Sequence, residues 1–356
     1  MADTTTLNAP ARPQKKTVFV TGANGYIGSA VCRAFVHAGY HTYGLIRRPE
    51  SAGALLAEEV IPIVGSISTE PGFLNDLYQH SKTFDVIVSC TEQFPFGVHY
   101  EGILAVLQNL AESSNRQGVK PLVLFSSGCK DYGTTDVHGS AGLAPHTEES
   151  PLHPPQLVQE RASFSLKIFE HADLFDAALL RPTPLFGYSS SYYAFILGLA
   201  AAAAASESRS LEIPADFNTI IHGCHIDDCA AAYLALAEHP AREAVAGQCF
   251  NISGYRYETL AEIASALTKE YGLSGGVHEG APLAEASFSK FVFGYSQWVG
   301  SAKIRKLTGW SDKRMLLSEN LHAYRLAYEE AERRGDEGVL RVKDRISKLT
   351  AASAKA

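Results

Sequence analysis

The stretch Thr17-Val18-Phe19-Val20-Thr21-Gly22-Ala23-Asn24-Gly25-Tyr26-Ile27-Gly28 decides the fold. Thr17 to Val20 is a short β-branched and apolar run, the pattern of a buried strand. Three glycines three residues apart follow it, and an apolar helical pattern from Ser29 to Ala38 stops at Gly39. Strand, glycine turn and helix in that order form a dinucleotide cradle. Gly22 permits the sharp turn, Gly25 lets backbone approach a pyrophosphate, and Gly28 lets helix and strand pack closely. The helix start then presents free N–H groups and a partial positive charge to phosphate.

Outward from this turn, apolar runs recur at His41–Ile46, Val60–Val64, Phe84–Ser89, Leu122–Phe125 and Ala177–Leu180. Helical patterns such as Ile103–Ser113 and Gln156–His171 separate them. Alternation of this kind predicts right-handed βαβ units, hence an α/β fold of Rossmann type with a doubly wound parallel sheet. After Gly187 the alternation loosens into a polar aromatic loop and an alanine-rich helix, Tyr193 to Ala205. Cys249–Ile252 is strand-like, and helices are expected at Tyr257–Tyr271 and Leu316–Arg334. The expected organisation is a tail over 1–16, a Rossmann domain over 17–187 with 217–245 returning to it, and a smaller mixed α/β substrate lobe from 188–216 and 246–340. Residues 341–356 are expected to be a tail.

The 356 residues carry a net charge of −7, and 46% of them are hydrophobic. That balance speaks against nucleic-acid or anionic-membrane partners, which require a basic face. The six cysteines read as reduced thiols. The polar start lacks a secretory apolar core, and the most apolar helix is too short to span a bilayer, so a cytoplasmic protein is expected. Cys224, Cys229, His222 and His225 lie close together in sequence, but a metal site needs about four ligands in register. No metal is expected.

The Thr-Gly-x-x-Gly-x-x-Gly spacing resembles the short-chain dehydrogenase/reductase superfamily. Three further segments resemble its extended branch, the NAD-dependent epimerase/dehydratase family: Leu180-Arg181-Pro182-Thr183-Pro184-Leu185-Phe186-Gly187, then His225-Ile226-Asp227-Asp228, then Gly247 to Ile252 with Thr259-Leu260. The resemblance covers roughly Thr17 to Leu267 and implies a nicotinamide dinucleotide cofactor, a small-molecule substrate and a homodimer. It implies a structural, helix-starting role for His225, Asp227 and Asp228. Ser66, before Ile67, stands where the family places an aspartate near the adenine.

NAD-preferring sites end their second strand in a carboxylate that accepts from the ribose hydroxyls. This chain has Arg47-Arg48 there, and guanidiniums suit a 2′-phosphate. NADP(H) is therefore the expected cofactor. Its expected contacts are Gly22, Asn24, Gly25, Tyr26, Ile27, Gly28, Arg47, Arg48, Ser66, Ile67, Cys90, Thr91, Lys130, Pro182, Thr183 and Leu185.

The resemblance also implies a catalytic serine, followed on the next helix by a tyrosine and a lysine four residues apart. Ser126-Ser127-Gly128-Cys129-Lys130-Asp131-Tyr132-Gly133 fits the first part. The second part is missing: Leu157 and Arg161 stand in the places of tyrosine and lysine, and neither can exchange a proton near neutral pH. Tyr78-x-x-x-Lys82 lies in the wrong βα unit. Ser127 to Tyr132 resembles the loop of progesterone 5β-reductase and iridoid-synthase-like enzymes that supplies the active-site lysine, with Lys130 at the matching position. The expected catalytic set is Lys130, Ser127, Tyr132 and Tyr188, with Tyr192 and Tyr193 as further candidates for the proton donor. Aromatic residues Phe288, Phe291, Phe293, Tyr295 and Trp298 could line an apolar pocket or form a core. The expected activity is NADP(H)-dependent reduction of a small carbonyl, enone or imine. The alternatives are a sugar-nucleotide epimerase or dehydratase, and a cofactor-binding protein without redox turnover.

Overall fold

A computed structural model describes residues 15–189, 192–280 and 292–353. Seven parallel strands form the central sheet: β1 (Thr17–Thr21), β2 (His41–Ile46), β3 (Ile61–Val64), β4 (Val86–Ser89), β5 (Leu122–Ser126), β6 (Asp176–Pro182) and β8 (Gln248–Ile252). Their order across the sheet is β8-β6-β5-β4-β1-β2-β3, the doubly wound arrangement. Strand order reverses beside β1, and there the sheet opens a crevice at the carboxyl ends of its strands.

Because successive side chains on a strand face opposite ways, each face of the sheet carries its own core. Val18 and Val20 of β1 join one core with Phe35 of α1 (Tyr26–His37) and Tyr233 of α7 (Ile226–Ala237). Phe19 joins the other, with Ile103 and Leu107 of α4 (Phe96–Asn115). A third cluster makes the lobe from α6 (Tyr193–Ala205), α8 (Leu260–Tyr271) and α10 (Leu321–Arg333). The short helices α2 (Ala52–Ala57), α3 (Leu74–His80), α5 (Gln159–Ser165) and α9 (Ala302–Thr308) and the final α11 (Glu337–Ser353) complete the chain.

The expected organisation needs two corrections. Gln248–Ile252, assigned by sequence to the lobe, is the edge strand of the central sheet and pairs with Ala178–Pro182. Residues 341–353, expected to be a tail, belong to α11. Smaller differences have local causes. The first helix opens at Tyr26 because Gly25 N–H bonds back to Gly22 O at 2.8 Å, which turns the chain a few residues earlier. Gln156–His171 is a short α5 between two 3-10 segments. The helix expected from Leu316 starts at Leu321, because buried Glu258 accepts the N–H groups of Leu317 and Ser318 and holds them in a turn.

Candidate active site

A groove of about 580 Å³ runs along the carboxyl ends of the strands. Its cradle is built on bare backbone. A Cβ on Gly25 would lie 2.9 Å from Gly22 O, and one on Gly28 only 2.2 Å from it. Gly22 itself has φ +65° and packs against Thr91 and Cys90. These three positions cannot carry side chains, and the turn places the start of α1 against the groove, as a pyrophosphate requires. The residues present therefore fit a dinucleotide.

Of the expected cofactor contacts, Gly22, Asn24, Gly25, Tyr26, Ile27, Arg47, Ile67, Cys90, Thr91, Lys130, Pro182, Thr183 and Leu185 line the groove. Gly28 serves helix packing instead. Arg48 points away and pairs with Glu337 at 3.2 Å. Ser66 is exposed and off the groove, which Gly65 and Ile67 line around it. Tyr26 donates its phenol to Gly187 O at 2.7 Å, tying the cradle to the segment after β7 (Leu185–Phe186).

The loop after β5 is locked by charge. Asp131, fully buried, accepts from Arg161 at 2.7 Å, Arg181 at 3.3 Å and Ser127 at 2.5 Å. Burial works against the charges of both arginines, but Asp131 and the other partners outweigh it and raise both above the usual guanidinium range. Arg161 also reaches Glu92 at 3.0 Å. This lock fixes the backbone on either side of Lys130. The Lys130 amine stands 3.5 Å from the centre of the Tyr295 ring, whose hydroxyl donates to Lys130 O at 3.3 Å. Burial pulls its pKa down to about 7.

The other expected catalytic residues stand differently. Ser127 lines the groove, but its proton is committed to Asp131. Tyr132 is buried away from the groove, donating to Asn251 at 2.8 Å and accepting from Arg181 at 3.1 Å. Its phenol is pushed up to about 12 by burial. Tyr188 is exposed and bonds to Asp227 at 2.7 Å, beside Arg314. Neither tyrosine lines the groove, because each is consumed by a structural ion-pair network. Tyr78 is spent on Asn109 O. Leu157 and Arg161 do line the groove.

Beside Lys130 lies a small apolar annex of about 40 Å³, lined among others by Pro184, Tyr192, Tyr193, Ile196, Ile221 and Tyr295. The Tyr193 hydroxyl is buried without a hydrogen-bond partner among the described residues. Phe288 and Phe291 lie outside the described residues, Phe293 is core, and Trp298 packs on Tyr257. His222, Cys224 and Cys229 are buried, and among the described residues no group of His, Cys, Asp or Glu could hold a metal ion. His225 caps α7 by accepting from Asp227 N at 3.1 Å, and Asp228 accepts the N–H groups of Lys313 and Arg314.

Sequence reading missed Arg341 and Arg345 of α11, both of which line the groove. Their spacing of four puts them on one face of a helix, a signal that was present in a segment taken for a tail.

The family model for the NAD-dependent epimerase/dehydratase family matches residues 18–253. The chain belongs to that family. The fold is shared with solved structures: the chain superposes on dTDP-glucose 4,6-dehydratase from Bacillus anthracis in complex with NAD with TM-score 0.69 and 17% identity, covering 89% of this chain and 98% of that one. RMD from Pseudomonas aeruginosa complexed with NADPH gives TM-score 0.62 and 19% identity, covering 89% and 100%. Among curated proteins, dihydroflavonol 4-reductase of Zea mays is 26% identical over 125 residues, which is 34% of this chain and 32% of that protein. An uncharacterized Schizosaccharomyces pombe protein is 42% identical over 50 residues, 14% of this chain and 17% of that protein. The chain thus aligns with about a third or less of the length of these curated relatives. Among the described residues no helix is long and apolar enough to cross a membrane.

Proposed function

We propose that this protein is an NADP(H)-dependent oxidoreductase that reduces a small carbonyl, enone or imine compound, with Lys130 as the proton-bearing group. One observation carries the reading: Lys130 lines both the dinucleotide groove and the apolar annex, where substrate and cofactor would meet. The bound cofactor supplies the electron pair. The protein's own residues do the rest. The glycine turn and the start of α1 hold the pyrophosphate, and Arg47 attracts the 2′-phosphate. Lys130 holds a proton at Nζ within hydrogen-bonding reach of a substrate entering the annex, and a pKa near 7 suits a general acid at neutral pH. Asp131, held by Arg161 and Arg181, keeps that loop in place. The annex walls of Pro184, Ile196 and Ile221 favour an apolar substrate body. Tyr193 offers a buried hydroxyl to its oxygen.

Leu157 favours a second reading. It lines the groove where the family's tyrosine is expected, and Arg161 beside it is saturated by Asp131 and Glu92. Both features suit a protein that binds the cofactor without turnover. The solved neighbours that act on sugar nucleotides suggest the remaining alternative, an epimerase or dehydratase. Incubation with NADPH and a panel of apolar ketones, enones and imines, beside nucleotide sugars, separates the three. NADPH oxidation with an apolar carbonyl, abolished in Lys130→Met while NADPH still binds, supports the proposal. Full turnover in Lys130→Met overturns the role of Lys130.

A further inference from the structure

The final helix lies on the groove. Glu337, in its first turn, reaches Arg48 at 3.2 Å and Ser51 at 3.1 Å, close to the end of β2. One turn on, Arg341 donates to the carbonyl of Asn24 inside the glycine turn. One turn further, Arg345 pairs with Glu92 at 3.8 Å and stacks over the Tyr192 ring at 5.7 Å. The helix therefore follows the groove from the glycine turn towards the substrate end.

Arg341 and Arg47 converge. Ala23 N–H bonds to Leu45 O at 3.1 Å, which sets the glycine turn against the end of β2. Arg47 follows that strand end, Arg341 is fastened to the turn, and both line the groove with Asn24. Arg47 makes no ion pair with any described residue, and the nearest carboxylate to Arg341, on Glu337, is 3.9 Å away and shared with Arg48. Burial, with Arg48 and Arg47 adding to it, draws Arg341 below the usual guanidinium range. Arg48 and Arg341 thus share the Glu337 carboxylate, with Asp336 also acting on Arg341, and three guanidiniums against these two carboxylates leave this corner with an excess of positive charge. An anion entering it gains from Arg47 and Arg341 together.

We infer that Arg341, supplied by the C-terminal helix, is a binding residue for the cofactor's 2′-phosphate and sets the preference for NADP(H) jointly with Arg47. This inference rests on the NADP(H) reading and adds a residue about 300 positions away in the chain from the glycine turn that it serves. The neutral amide of Arg341→Gln can still donate to Asn24 O but lacks the charge and the fork that hold phosphate.

Equilibrium binding of NADPH, NADH and adenosine 2′,5′-bisphosphate to the full chain tests it by fluorescence titration. In Arg341→Gln the Kd for NADPH and for the bisphosphate rises about tenfold or more, while the Kd for NADH moves less than about threefold. Arg341→Ala, which also frees Asn24 O, is measured beside it, and circular dichroism confirms folding of both. Equal weakening of NADPH and NADH in Arg341→Gln means that Arg341 only shapes the turn, and overturns the inference. Unchanged NADPH selectivity in Arg341→Gln also overturns it, leaving the NADP(H) reading intact. A wild-type protein that binds NADH as tightly as NADPH overturns both.

Discussion

The Lys130 amine stands 3.5 Å from the centre of the Tyr295 ring. Burial favours the neutral amine and lowers its pKa to about 7, whereas a ring face favours the ammonium. Removing the ring therefore favours the neutral form further. Tyr295→Leu is expected to move the alkaline fall of the rate profile to a pH lower by about half a unit, from a cation–π contribution of about 0.5–1 kcal/mol. A pH–rate profile of the variant checks this, and an upward or absent shift contradicts it.

Asp131 is the anion between Arg161 and Arg181, with Arg181 almost wholly buried. Asp131→Asn leaves buried Arg181 without its counter-charge and Arg161 with Glu92 alone, a change that costs about 3–5 kcal/mol for buried pairs. Thermal unfolding should show a Tm lower by on the order of 5–10 °C. An unchanged Tm means that the network does not hold the Lys130 loop.

Two glycines give opposite outcomes. In Gly28→Ala the new methyl meets Gly22 O at 2.2 Å, so α1 must move off β1 and nucleotide binding is lost with stability. Gly53, in α2, has nothing within 4 Å of its Cβ position. Gly53→Ala should stabilise by about 0.5–1 kcal/mol through helix propensity. Denaturant titration of the two variants checks the contrast.

Legibility of the fold followed locality. The first strand, the glycine turn and helix Tyr193–Ala205 were readable because each is decided by neighbours within a few residues. Strand Gln248–Ile252 was readable as a strand, but not as part of the central sheet, because its partner Ala178–Pro182 lies some seventy residues earlier. The site divides in the same way. Lys130 and Arg47 follow from motifs and strand ends, whereas the diversion of Tyr132 to Asn251 and Arg181, and of Tyr188 to Asp227, depends on contacts far apart in the chain. Arg341 and Arg345 were hidden because a charged helix near a chain end has the same composition as a solvated tail.

His222 is buried, and both ring nitrogens are engaged: Nδ1 accepts from Val299 N–H at 3.2 Å, and Nε2 donates to Gly254 O at 3.0 Å. Only the neutral ring fits this pair, and burial lowers its pKa to about 4. The unfolded chain binds the proton near pH 6.5, so between about 6.5 and 4 the unfolded state takes up more protons and stability falls as pH drops. The loss attributable to this residue is on the order of 3 kcal/mol. Stability of wild type and His222→Asn, measured from pH 7.5 to 4, checks it. The variant should lose less stability over that range, and an equal slope contradicts the assignment.

In the proposed NADPH-dependent reduction, Lys130 delivers the proton. The most direct measurement is kcat for NADPH oxidation against pH with a turned-over apolar carbonyl substrate. The ammonium must be present for the step, so kcat should be level at acid pH and fall with a single midpoint near 7. A rate that stays level from pH 6 through pH 9, or rises across that range, contradicts it.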